Sequence, residues 1–289
     1  MIQVNKIEPQ GFCGGVNNAI KILNKVLEDK NTKKPIYLLG NLIHNKFVME
    51  EFEKKGVIIL DIKGKTRLEL LDLIKTDGTV IFSAHGVSPS VYSKAKTMGL
   101  DIVDATCPYV NVVHNKIIDY IKKGYSIIYI GGKGHPECEG VLGIDDNISL
   151  VTSKDDVINL NINNKLIYVT NQTTLSIYDI KDIFNEILNK YPNAVIDDKI
   201  CMATTIRQKA IMEQDIPDLC IIVGDPSSSN TKKLKQVSLL KGINTIMIES
   251  IKDLSNISFD NIKTISISSG ASTPSYLVDE IINYIKNIK

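Results

Sequence analysis

A dominant charge of either sign is missing from this 289-residue chain: 34 Lys and Arg stand against 33 Asp and Glu, a net charge of +1. Without a basic footprint there is no electrostatic case for nucleic acid or an acidic membrane surface as partner. The opening MIQVNKIEPQGFC has no positively charged leader followed by an apolar stretch, and no window approaches the length needed to cross a bilayer. The expectation is a cytoplasmic protein with no membrane partner. No Pro-rich or Gly/Ser-rich stretch marks a linker. Arginine is scarce, with only Arg67 and Arg207, so an arginine clamp is not the whole answer for any anionic ligand. The cysteines number five, an odd count, which argues for thiol chemistry or metal ligation over a disulfide framework. Close C-x2-4-C pairs, the usual source of structural zinc ligands, are absent.

What is present is a repeated alternation of short apolar runs and helical patterns. The runs IYLL (36–39), VIIL (57–60), TVIF (79–82), DIVD (101–104), SIIYI (126–130), LIYV (166–169), CIIV (220–223), TIMI (245–248) and TISI (264–267) are β-branched and unalternating. Such runs are expected of strands buried on both faces of a parallel sheet. Between them, Ala19, Ile20, Leu23, Val26 and Leu27 make one helical apolar face, and Ile180, Ile183, Phe184, Ile187 and Leu188 another. The fold class is α/β with mostly parallel sheets, and the length allows two to three compact units.

Three of the cysteines set a register. Cys13, Cys107 and Cys201 stand 94 residues apart, each just before a predicted helix. His44, His135 and the run Ser228, Ser229, Asn230 follow them by about 30 residues, and His85, Thr173 and Ser272 by about 70. A period this long lies outside the solenoid range and points to three similar lobes. Boundaries drawn on it give a first lobe over 14–106, a second over 107–200, and a third over 201–289 completed by segment 1–13. Ligands of open α/β sheets bind beyond the carboxyl ends of the strands. His85, His135, Thr173, Ser228 and Ser272 all fall at such ends, so the three lobes are expected to face one central cavity in a pseudo-threefold arrangement. Cys220, inside an apolar run, reads as a buried strand residue; Cys138 breaks the register and is read as a non-ligand. His114 falls within a helical stretch and is read as structural.

Isolated thiolates from different lobes suit a cluster gripped from several sides, although three cysteines near helix starts also fit plain packing. A 4Fe-4S cluster normally takes four cysteines. Three would leave one iron open to a water or substrate oxygen as a Lewis acid. In GFCGG, Gly11, Gly14 and Gly15 surround Cys13 and let backbone approach a bulky inorganic group. SSSNT and GASTP supply neutral donors at predicted helix starts, a composition suited to a phosphate group, with His44 and His85 expected to donate from protonated imidazole. In GHPECEG, His135 and Glu137 lie two residues apart across a proline, on what reads as an extended loop, where a carboxylic acid would be a natural proton donor.

The motifs GFCGGV, LIHNKFV, FSAHGVS, DATCPYV, GHPECEG, QTTLS, CMATTIRQ, SSSNT and SGASTP, in this order from near the start to near the end, resemble those of the 4-hydroxy-3-methylbut-2-enyl diphosphate reductase (LytB/IspH) family. The resemblance implies a two-electron reductive dehydroxylation of an allylic diphosphate to isopentenyl and dimethylallyl diphosphate, the last step of the non-mevalonate isoprenoid pathway. Electrons would come singly from a ferredoxin or flavodoxin. It implies one 4Fe-4S cluster on Cys13, Cys107 and Cys201 with an open iron for the substrate hydroxyl. His44, His85, His135, Ser228, Ser229, Asn230 and Ser272 would hold the diphosphate, Glu137 would supply protons, and Thr173 would orient the hydroxyl end. It also implies three α/β lobes around a central cavity, with the first and last segments sharing a lobe. Two departures stand out: Cys138 replaces the usual aliphatic residue, and Asp225 in GDPSSSN adds negative charge near the anion site.

Overall fold

The computed structural model describes residues 2–198 and 200–287. The chain opens on a short strand, β1 (Gln3–Lys6), and a helix, α1 (Gly14–Glu28). It continues through β2 (Ile36–Leu39), α2 (Lys46–Lys54), β3 (Val57–Leu60), α3 (Arg67–Leu71), β4 (Thr79–Phe82), α4 (Pro89–Thr97) and β5 (Asp101–Asp104). A second run comprises α5 (Pro108–Lys122), β6 (Ser126–Ile130), α6 (Pro136–Leu142), β7 (Ile148–Val151), α7 (Lys154–Asn159), β8 (Ile167–Asn171), α8 (Ile177–Lys190) and β9 (Val195–Ile196). A third holds α9 (Met202–Glu213), β10 (Leu219–Val223), α10 (Ser229–Leu240), β11 (Thr245–Ile248), a 3-10 turn (Ile251–Asn256), β12 (Thr264–Ser269) and α11 (Ser275–Lys286).

Three four-stranded sheets result among the described residues, and they share one topology. Their orders are β3-β2-β4-β5, β7-β6-β8-β9 and β11-β10-β12-β1, with every neighbouring pair parallel. In the third sheet the fourth place is filled from the chain's beginning, with Gln3 opposite Thr264. The fold is therefore three similar α/β lobes.

The unalternating strands have their cause in the layers. In β2, Ile36 and Leu38 pack on one face with Leu23 of α1 and Phe52 of α2, while Tyr37 and Leu39 pack on the other with Leu70 and Val91. A fully buried side chain such as Leu38 or Leu39 stabilises the lobe by roughly 1.5–3 kcal/mol. The nine apolar runs predict strands that are all present. Three further strands, β1, β7 and β9, lie outside that prediction, and each is the outermost of its sheet. QVNK in β1 has no fully buried residue, and β9 has only two residues, so neither carries an apolar run.

The shared topology positions three loops per sheet. The first strand leads to His44, His135 or Ser228; the third leads to His85, Thr173 or Ser272; the fourth leads to Cys13, Cys107 or Cys201. After the fourth strand the chain leaves its sheet. Thus α5, which follows β5, packs Val113 and Ile117 against Ile127 and Tyr129 of β6 in the next sheet. In the same way α1 covers β2, and Ile211 of α9 packs with Cys220 and Ile222 of β10. Each register cysteine therefore stands where one sheet hands over to the next.

Candidate functional site

Each register cysteine is the N-cap of a helix: Cys13 of α1, Cys107 of α5 and Cys201 of α9. Their backbones are fixed in one pattern. The N–H of Cys13 donates to Ala271 O at 3.0 Å, that of Cys107 to Ala84 O at 2.9 Å, and that of Cys201 to Thr173 O at 2.9 Å. Each thiol loop is thus tied to the loop after the third strand of its own sheet. Free N–H groups at a helix start favour a thiolate. At Cys107 and Cys201 burial outweighs this and raises the thiol pKa, while the N–H groups of Tyr109 and Val110, or of Ala203 and Thr204, pull it back.

The three thiols line one cavity, and Gly15 shows how closely backbone approaches them. A Cβ at Gly15 would stand 2.5 Å from Cys107 Sγ and 3.9 Å from Cys13 Sγ. Gly14, by contrast, faces open space. Among the described residues, no three His, Cys, Asp or Glu side chains converge to hold a single metal ion. Cys138 is buried in the core with its Sγ 3.4 Å from Gln172 Oε1, and Cys220 is buried in β10.

The same cavity receives His44, His85, His135, Glu137, Thr173, Ser228, Ser229, Asn230 and Ser272. The three imidazoles form a triangle, with ring centroids 4.6 Å apart for His44 and His85 and 5.8 Å apart for each pair with His135. The Nε2 atoms of His44 and His135 are buried without a partner among the described residues. The expected protonated imidazoles concern a bound phosphate; in the protein by itself, burial acts on all three rings. All three pKa values are lowered, first by burial: His135 falls to about 3, and at His85 the neighbouring imidazoles add to the effect. The rings are therefore neutral here and donate through a single N–H each. Arg67 contributes to the lowering at all three. It bridges lobes by donating from its backbone N–H and Nη1 to Glu139 at 2.5 and 2.7 Å, and it packs against Gly40, where a Cβ would stand 2.8 Å from its Nη2.

The segment carrying His135 and Glu137 is not the extended loop that its proline suggested. It is the first turn of α6, with Pro136 at the first helical position and His135 as N-cap, its Nδ1 accepting from Glu137 N at 3.2 Å. Proline there has its φ already helical and loses no hydrogen bond, and the imidazole nitrogen fills the place of a Ser or Asp cap oxygen. This turn drives Glu137 inward to 2 % exposure. Its carboxyl accepts from Thr173 N at 2.8 Å, Thr173 Oγ1 at 3.0 Å and Tyr129 OH at 3.2 Å. Burial nonetheless pushes its pKa up to about 7, the hydrogen bonds offsetting only part of the effect.

Two of the remaining polar residues, Ser272 and Ser229, join the third lobe to the others, and Asn230 and Ser228 shape the third lobe itself. Ser272 Oγ donates to His44 O at 2.8 Å, and Ser229 Oγ lies 3.1 Å from Thr174 Oγ1. Asn230 donates to Thr204 Oγ1 at 3.2 Å and accepts from Ala271 N at 2.9 Å, while Ser228 caps α10 through Thr231 N. Asp225 accepts from the N–H and hydroxyl of Ser227 and is the foremost charge that raises the pKa of His44 against burial. His114 lies buried within α5. Thr174 and Thr204 also line the cavity without having been singled out; both sit in the QTTLS and CMATTIRQ motifs, which was the available signal.

Fold and site together define a class: a three-lobed α/β protein whose lobes deliver one thiol each, and a ring of neutral donors with one buried acid, to a common cavity. The pattern of the LytB protein family matches residues 4–286, and the chain belongs to that family. It is 43% identical over 288 residues to the 4-hydroxy-3-methylbut-2-enyl diphosphate reductase of Bacillus subtilis (strain 168), covering 99% of this chain and 91% of the relative. It is 44% identical to that of Geobacillus sp. (strain WCH70), covering 99% and 90%. The solved E-1-hydroxy-2-methyl-but-2-enyl-4-diphosphate reductase from Plasmodium falciparum superposes with a TM-score of 0.90 at 35% identity, over 99% of this chain and 88% of that one. A second solved structure, described as the terminal enzyme of the non-mevalonate pathway, gives 0.67 at 29% identity with full coverage of both chains.

Proposed function

We propose that this chain is a 4-hydroxy-3-methylbut-2-enyl diphosphate reductase, removing the allylic hydroxyl of (E)-4-hydroxy-3-methylbut-2-enyl diphosphate to give isopentenyl and dimethylallyl diphosphate. The alcohol takes up two electrons and two protons; its C–O bond breaks, a C–H bond forms, and water leaves. This is the last step of the non-mevalonate isoprenoid pathway. The observation that carries the reading is the convergence of three thiols, a histidine triangle and a buried acid on one cavity.

The residues present fit an iron-sulfur cluster. Three thiols line the cavity, and the absence of a side chain at Gly15 lets backbone come close to Cys107 Sγ, which a Cβ there would meet at 2.5 Å. Cys13, Cys107 and Cys201 would hold a 4Fe-4S cluster, leaving one iron open, and such a cluster supplies single electrons and Lewis acidity toward the hydroxyl. His44, His85, His135, Ser228, Ser229, Asn230 and Ser272 bind the diphosphate. Two buried Nε2 atoms without partners among the described residues, on His44 and His135, are suited to its oxygens. Glu137, with a pKa near neutrality, holds a proton at its carboxyl for delivery to the departing hydroxyl, a role worth roughly 10²–10⁴ in rate for a positioned acid. Thr173 orients that carboxyl through two hydrogen bonds and leaves its hydroxyl at the cavity wall.

The electron donor is a ferredoxin or flavodoxin, and the protein works in the cytoplasm. The lobes run over 14–106, 107–200 and 201–289 with 1–13. The test is anaerobic purification with cluster reconstitution, followed by turnover of the allylic diphosphate with a one-electron reductant. Broad visible absorption and both five-carbon diphosphates are expected. A colourless protein after reconstitution would overturn the assignment.

A further inference from the structure

Arg207, the second of only two arginines, is 3 % exposed in α9, six residues beyond Cys201. Its guanidinium spans the backbone beside two register cysteines. Nη2 donates to Gly11 O at 2.7 Å, two residues before Cys13, and Nη1 donates to Ala203 O at 3.0 Å, two residues after Cys201. Its Nε is buried with no partner, and among the described residues no carboxylate forms an ion pair with it. A buried, permanently charged group with neutral partners only is strongly disfavoured unless a negative group sits nearby. As ligands of a cluster Cys13 and Cys201 would be thiolates, and their charges would then stand foremost among those that stabilise the cation, ahead of the exposed Glu8.

We infer that Arg207 is a positioning residue for two of the three thiols, Cys13 and Cys201: its fixed positive charge offsets the negative charge of these ligands while its two carbonyl contacts lock the Cys13 loop to the start of α9. The inference rests on the cluster assignment above. An electron entering a thiolate-held cluster adds one negative charge, and a nearby buried cation favours that state. Arg207 thereby raises the reduction potential, bringing the cluster within reach of a one-electron donor.

The experiment compares reconstituted wild type, Arg207→Gln and Arg207→Lys by a spectroscopically monitored redox titration. Gln keeps a donor for a backbone carbonyl and loses the charge; Lys keeps the charge. The expected result is at least a tenfold fall in the one-electron reduction equilibrium constant for Gln, a shift of about 59 mV to more negative potential, with Lys staying near wild type. Failure of the Gln variant to hold a cluster that Lys does hold supports the same role for the charge. An unchanged potential in Gln, or equal loss of the cluster in Gln and Lys, would overturn the inference and leave the cluster assignment standing. A wild type that binds no cluster would overturn both.

Discussion

Thr173 donates twice to one carboxyl group, from its backbone N–H to Glu137 Oε1 at 2.8 Å and from its hydroxyl to Oε2 at 3.0 Å. The same residue accepts the amide N–H of Cys201 at 2.9 Å. One threonine therefore sets the acid and a thiol loop in register with each other, although α6 and α9 begin 66 residues apart in the chain.

Glu137→Gln tests the acid in two ways. Gln reproduces the shape of the protonated acid, so substrate binding and the cluster should persist while turnover falls by about 10²–10⁴. Stability should diverge with pH. The folded-state pKa of Glu137 is raised to about 7 from an ordinary 4.5, so its contribution is fully present below 4.5 and is lost as pH rises through 7. Above pH 7 the ionised carboxylate costs on the order of 3 kcal/mol, which Gln escapes. Urea unfolding of the cluster-free proteins at pH 5 and pH 8 should show the Gln variant gaining on wild type only at the higher pH. A constant difference would refute the buried-acid assignment.

The histidine triangle should take up protons when an anion binds. Burial holds His44, His85 and His135 neutral, and a bound diphosphate stabilises their charged forms, raising the pKa values back toward 6.5. Calorimetric titration with inorganic pyrophosphate at pH 6.5, in buffers of different ionisation enthalpy, should reveal net proton uptake that shrinks in His135→Asn. Proton release would contradict this picture.

Cysteine substitutions should sort by place in the register. Cys201→Ser removes a cavity thiol and should abolish or destabilise the cluster, read from the visible spectrum. Cys138→Ser and Cys220→Ser, both in the core, should keep it and lose about 1–3 kcal/mol from an added buried hydroxyl. Equal cluster loss in all three would show that the register does not mark the ligands.

Gly15→Ala should act at the thiols, whereas Gly14→Ala should not. The new Cβ at position 15 would stand 2.5 Å from Cys107 Sγ, forcing that side chain to move, while position 14 faces open space. Expected outcomes are a loss of about 1–3 kcal/mol and poor cluster incorporation for Gly15→Ala, and near-wild-type behaviour for Gly14→Ala. Matching spectra and unfolding midpoints for the two variants would remove Gly15 from the site.

Much of the fold was legible because buried parallel strands must be apolar on both faces: IYLL, TVIF and SIIYI announce β2, β4 and β6 residue for residue. Of the outer strands, β3, β5 and β11 are announced by VIIL, DIVD and TIMI, but β1 is not, since QVNK becomes a strand only through pairing with Thr264 to Ile267. The site residues were legible as motifs. Their conformations were less so: PECEGVL begins a helix because His135 caps it, a contact that a proline between two polar residues does not reveal.

The order of residues alone established which groups the cavity would hold, because thiols, imidazoles and carboxyls are properties of side chains and their spacing a property of the chain. The charge those groups carry was decided by tertiary structure, since pKa values depend on burial and on neighbours from other lobes. Packing made the histidines neutral and brought Glu137 close to neutrality. It also placed Arg207 between the backbones flanking Cys13 and Cys201, a relationship made only when the third sheet closes on the first strand of the chain.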